Sequence, residues 1–142
     1  MSVDAQGLCT NAACAARLAD APWLVERRPH IVLAAIATWV VVALHVAFAL
    51  AETVGWRGMA KRFGYSREHA EVTRPLALNQ GAYNAGVAAL LAWAQLAAQP
   101  ATVLALLVFV VAMSIVGAVS VRWTILVAQG VPALLAIAAT AL

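Results

Sequence analysis

Four stretches of the chain contain no charged side chain: Ile31 to Ala51, Pro75 to Leu96, Ala101 to Val121 and Trp123 to Leu142. The first is 21 residues, about 32 Å as a helix at ~1.5 Å per residue, enough for a ~30 Å hydrocarbon core. The others are of similar length. The pattern predicts an all-α fold of four transmembrane helices, spans of about 31–51, 75–96, 101–121 and 123–142. Pro75 is expected at the first turn of the second helix, where a missing N–H does no harm. Gln95 to Pro100 makes a tight turn and Arg122 marks the last one. One long and two short connections favour up-down topology.

The remaining segments are polar. Residues 1–28 are expected to form a tail or a surface helix, distinct from the transmembrane domain of residues 29–142. They lack the ordered basic, apolar and small-residue regions of a secretory signal, so the first apolar run is expected to stay in the mature protein. Residues 53–74 form the one substantial loop, basic and aromatic, in which Ser66 can cap a short helix.

Composition agrees with this division. With 65% hydrophobic and 11% charged residues and a mean hydropathy of +0.90, the chain lies outside the usual range of soluble domains. Its net charge of +3 does not point to nucleic acid, because the basic residues lie between apolar blocks, where they set orientation. Five of the nine fall in the 53–74 loop and one in the last turn, against three in the tail. The loop is expected in the cytoplasm and both termini outside. Cys9 and Cys14 have no His or further Cys nearby to complete a metal site, and none is expected.

Successive spans alternate direction, so the second half of helices one and three shares a leaflet with the first half of helices two and four. That leaflet, on the loop side, receives His45, Glu52, Asn79, Gln80, Tyr83, Asn84, Ser114, Ser120, Thr124 and Gln129. The other holds little beyond Thr38, Trp39, Gln95 and Thr140. The distribution describes a cup, open toward the loop and sealed at the far side. Intramembrane polar residues turn inward to a bundle or a wet cavity. Asn79 with Tyr83 and Gln80 with Asn84 are i,i+4 pairs on one helix, and Gln129 precedes Pro132, which leaves the Ala128 carbonyl without its helical donor. The candidate ligand-binding set is His45, Asn79, Gln80, Tyr83, Asn84 and Gln129, with Glu52, Trp56 and Trp123 at the rim. His45 is the candidate general base if there is chemistry.

Each has a structural reading. His45 can bond a neighbouring helix, Glu52 can pair with Arg57, Lys61 or Arg74, and the amides can hold helices together at ~0.6 to 2 kcal/mol per contact. Gly81, Gly86 and Gly117 are expected to permit close helix packing.

The run His45, Glu52, Trp56, the Phe63-Gly64 pair, the motif Asn79-Gln80-Gly81-Ala82-Tyr83-Asn84 with Gly86, Gly117-Ala118, and Gln129-Gly130-Val131-Pro132-Ala133 resemble a bacterial four-helix membrane family. That family is known as a domain of unknown function, number thirteen-zero-four in its series. The likeness spans about residues 38 to 138. The Trp56 to Phe63 link is shorter than the family's and the N-terminal tail is extra. The resemblance implies four spans with a shared polar centre in the bacterial inner membrane, and supplies no activity.

Three functions follow as expectations. The first is a membrane protein that binds a small amphipathic or polar ligand in the one-sided pocket. The second is a non-catalytic accessory or packing subunit of a larger membrane complex. The third is a small-solute or proton transporter, which needs a homo-oligomer to build a path through the apolar half. The lipid bilayer is the expected partner in all three, and no cofactor is identified.

Overall fold

The computed structural model describes residue 12 and residues 22–141, with side chains from position 30 to position 140 in the latter. The expected polar tail, with Cys9 and Cys14, falls outside these apart from Ala12 and the start of the first helix. Five α-helices follow in order: α1 Pro22–Thr53, α2 Trp56–Arg62, α3 Arg67–Leu96, α4 Pro100–Ser120 and α5 Val131–Ala141, the last preceded by a π turn at Leu126–Gly130. No strand occurs among the described residues.

Three boundaries differ from expectation, the first being that α1 begins at Pro22, inside the expected tail, and runs without a break into the apolar span. The 53–74 segment is mostly helical, and α3 runs unbroken through Pro75. Ser66 caps α3 itself, its Oγ accepting the His69 N–H at 3.2 Å. A proline inside a helix forfeits one backbone bond, but here the turn before it is anchored from outside. The Trp56 indole donates to the Ala70 carbonyl at 2.8 Å and Arg57 pairs with Glu71 at 3.0 Å. These contacts fasten α2 to α3 and make the loop a folded cap.

The expected fourth helix forms, with a π turn inside it. Val121 and Arg122 both return their N–H groups to the Gly117 carbonyl, at 2.9 and 3.1 Å, which ends α4. The chain then becomes helical again and widens into the π turn, where the Val131 N–H bonds Leu126. An i→i−5 turn one residue before Pro132 accommodates a residue that cannot donate to the ordinary i−4 acceptor. The turn from α3 to α4 is tighter still. Ala98 N–H bonds Gln95 and Gln99 N–H bonds Ala94, at 3.2 and 2.9 Å, closing a Schellman motif. Ala98 takes φ 51° to do so.

Helix α1 packs along α3 and α5, while α4 packs on α3, the π turn and α5. Short turns make α3, α4 and the final segment antiparallel neighbours. Their shared core is Val41 and Val42 from α1, Ala88, Leu91 and Ala94 from α3, Val103, Leu107 and Val110 from α4, and Ala133 and Ala136 from α5. Burying such side chains stabilises by about 25 cal/mol per Å² of apolar surface when water is the alternative. The outward faces are just as apolar: Ile31, Val32, Ile36 and Val40 on α1, Leu104, Val108 and Ile115 on α4, and Leu134 and Leu135 on α5 are all exposed.

Two helical stretches among the described residues, His30–Thr53 and Pro100–Ser120, are long and apolar enough to cross a membrane, and Leu126–Thr140 is a shorter apolar segment. Helix α3 has the length, but Asn79, Gln80, Tyr83 and Asn84 lower its hydropathy.

Candidate functional site

Gly81 sets the local geometry. Helices α1 and α3 approach so closely there that a Cβ on Gly81 would stand 2.6 Å from Thr53 Cγ2 and 3.1 Å from the Ala49 carbonyl oxygen. One turn further along the same face, Asn84 Nδ2 donates to Glu52 Oε2 at 2.7 Å. The charge-assisted bond crosses between helices 32 positions apart in sequence. Glu52 was expected to find Arg57, Lys61 or Arg74; instead Arg57 pairs with Glu71, because α2 turns it toward the start of α3.

Seven residues before Glu52, His45 is 3% exposed. Its Nδ1 lies 2.9 Å from the Val41 carbonyl, which can only accept, so Nδ1 carries the proton and Nε2 is the acceptor of the neutral ring. Ser114, fully buried, packs against Gly130 at the π turn. Gly117 is packed by Ile125, whereas Gly86 meets nothing within 4 Å. Of the three glycines expected at close contacts, Gly86 is the exception.

The other column of the Asn-Gln-Gly-x-Tyr-Asn motif faces away from α1. Asn79 and Tyr83 lie in an open groove of about 680 Å³ beside α4, lined also by Pro75, Leu78, Ala82, Gly86, Val87, Leu90 and Phe109. Tyr83 is 70% exposed. The α3 side chains that hydrogen-bond are Glu71, Thr73 and Asn84, and neither Asn79 nor Tyr83 has a hydrogen-bond partner among the described residues. From Asn79 to Leu90 the groove extends about 16 Å along the helix at ~1.5 Å per residue. Pro75 and Leu78 form its loop-side end, Asn79 and Tyr83 come next, and its deeper end is apolar.

Of the six candidate ligand-binding residues, Asn79 and Tyr83 share this groove. His45, Gln80, Asn84 and Gln129 are not among its lining residues. Gln80 is exposed on α3 and Gln129 is half-buried in the π turn. Trp56 is tied into the loop cap and Trp123 is exposed. The groove's apolar wall, Val87, Leu90 and Phe109, carries no mark in the sequence. Only the divergence of α3 and α4 makes it a wall.

Among the described residues, the far side of the bundle is not closed. A hollow of about 500 Å³ lies there, with Thr38, Gln95, Gln99 and Thr140 among its lining residues. Between it and the loop side, Val41, Leu91, Leu107 and Val110 are each 2% exposed or less. The seal expected at the outer end is therefore a packed layer in the middle. No group of three or more metal-ligating side chains occurs among the described residues.

An all-helical bundle with apolar outer faces, a carboxylate-amide tie between two helices and a lateral groove defines the structural class. The chain belongs to the family described as protein of unknown function (DUF1304), whose model matches residues 39–141. No curated protein matches the chain, and no solved structure does.

Proposed function

We propose that the protein is a four-span integral membrane protein that takes an amphipathic molecule from the bilayer into the groove between α3 and α4. The observation that carries this reading is the gradient within the groove. Asn79 and Tyr83, without a hydrogen-bond partner among the described residues, follow Pro75 and Leu78 in from the loop side, and Val87, Leu90 and Phe109 line the depth. Unpaired polar groups facing hydrocarbon cost several kcal/mol, roughly, and a polar headgroup removes that cost while its chain lies along the apolar wall. The apolar outer faces of α1, α4 and α5 support immersion, since contiguous exposed apolar surface of this extent marks a membrane or interaction face. The α1 and α4 spans supply the two long crossings, α3 and the π turn with α5 the others. The basic cap at 53–74 is assigned to the cytoplasmic face of the plasma membrane by the positive-inside rule.

In this reading Glu52 and Asn84 fix the register of α1 on α3, which sets where Asn79 and Tyr83 stand, His45 packs within α1, and no catalytic step is assigned. The test is photocrosslinking: a benzophenone amino acid at Leu90, with tritium-labelled membrane lipid, is expected to capture an acyl chain. Capture should fall several-fold when Asn79→Leu and Tyr83→Phe are added. Equal capture with and without these substitutions would contradict the reading.

A second reading, a packing or accessory subunit, has one observation in its favour: the Asn84 bond to Glu52 serves helix pairing directly. Gln80→Leu separates the two, because an accessory role for that exposed amide predicts loss of a copurifying protein while the groove keeps its ligand.

A further inference from the structure

The hollow at the far end is unrelated to the groove and lies about a bundle's length from the Asn-Gln-Gly-x-Tyr-Asn motif. It gathers side chains from α1, α3, the α3–α4 turn, α4 and α5. The hydrogen-bond account of its polar residues is specific. Thr38, 1% exposed, donates its hydroxyl proton to the Ala34 carbonyl at 2.9 Å. Thr140 donates to Ile137 at 2.6 Å. Both hydroxyl oxygens keep acceptor capacity. Gln99 Oε1 accepts from Thr102 at 3.0 Å, so its amide NH2 remains to donate. Gln95, half-buried, has no hydrogen-bond partner among the described residues. Apart from His30, no side chain in the lining is titratable or charged. The walls between these groups are small and apolar, Ala34, Ala35, Ala94 and Ala139 among them.

We propose that this hollow is a second binding site, for a small neutral molecule that bears both hydroxyl and carbonyl groups on a short apolar body. The two glutamine amides donate to its carbonyl, and the Thr140 oxygen accepts from a hydroxyl. Among the described residues the lining offers an ammonium group no counter-charge and a carboxylate none but His30, so a charged group is disfavoured there by desolvation. The packed layer of Val41, Leu91 and Leu107 below the hollow makes it a closed-bottomed site rather than the mouth of a path.

The probe is glycerol monobutyrate, which is neutral, carries two hydroxyls and an ester carbonyl, and is small enough for the hollow. Saturation-transfer NMR on the detergent-solubilised full chain, in a Gly86→Phe background that fills the α3–α4 groove, reads binding at the far end alone. Binding is expected in that background and to weaken at least tenfold in Gln95→Leu and in Ala35→Phe, with sodium butyrate giving no transfer. Ala35→Phe fills space without removing a polar group, so a loss in both variants, with unchanged melting temperature, marks the hollow itself. The proposal is overturned by no transfer from the ester, by equal transfer in all variants, or by equal transfer from butyrate. Failure of the groove reading would leave these outcomes unaffected.

Discussion

Gly81 and Gly86 look equivalent on paper, five apart in the same helix, and the structure gives them opposite roles. An alanine at 81 forces its Cβ into Thr53 and the Ala49 carbonyl, and Thr53 is held by its own 2.6 Å bond to that carbonyl. Gly81→Ala is expected to destabilise by about 1–3 kcal/mol, the usual cost of overpacking. Gly86→Ala meets no atom within 4 Å and should be neutral or stabilising by up to ~1 kcal/mol through the lost flexibility of glycine. Thermal unfolding in detergent compares the two; equal effects would contradict the assignment. Asn84→Leu strands the Glu52 carboxylate and should cost about 1–3 kcal/mol. The double variant Glu52→Leu with Asn84→Leu should recover part of that, since an apolar pair leaves no group unsatisfied. A double variant less stable than Asn84→Leu alone would place the tie elsewhere. The sequence pointed to both residues through their rarity in apolar runs. It did not pair them, because a contact 32 positions apart depends on the α1–α3 register that Gly81 sets.

At the scale of elements, apolar run length located both ends of α4 and the end of α1 within a few residues, but α1 begins at Pro22, well before the apolar run at Ile31. Proline was the less readable signal. Pro75 sits inside α3 because Trp56 and Arg57 hold the turn before it, and such tertiary anchoring is invisible to local propensity. Near Pro132 a kink was legible, but its form, a π turn, was not. The α3–α4 turn yields a prediction of its own. Ala98 occupies a left-handed position, φ 51°, that costs an L-residue roughly 1–2 kcal/mol and that glycine usually takes. Ala98→Gly is expected to raise stability by about 0.5–1 kcal/mol, read as a higher melting temperature. A lower one would mean that the Ala98 methyl is held by packing that outweighs its strain.

For the whole molecule, the asymmetry of polar residues along the spans was the most useful sequence signal, and the bundle realises it in two separate places. Asn84 ties α3 to Glu52 of α1 while Gln80 in the same column is exposed, and Asn79 with Tyr83 opens laterally beside α4. Helical spacing alone placed both columns on α3 without saying which neighbour each would face. The far-side hollow was missed because its polar residues, Thr38, Gln95, Gln99 and Thr140, are spread over three helices and a turn, and none stands out within its own segment. The packed layer between the two ends argues against a continuous path through one copy of the chain. Native mass spectrometry of gently solubilised wild type beside Gly86→Phe tests for an amphipathic occupant of the α3–α4 groove. A lipid-sized adduct is expected on the wild type and absent from a folded Gly86→Phe protein. The same adduct on both, or none on the wild type, would contradict the groove reading.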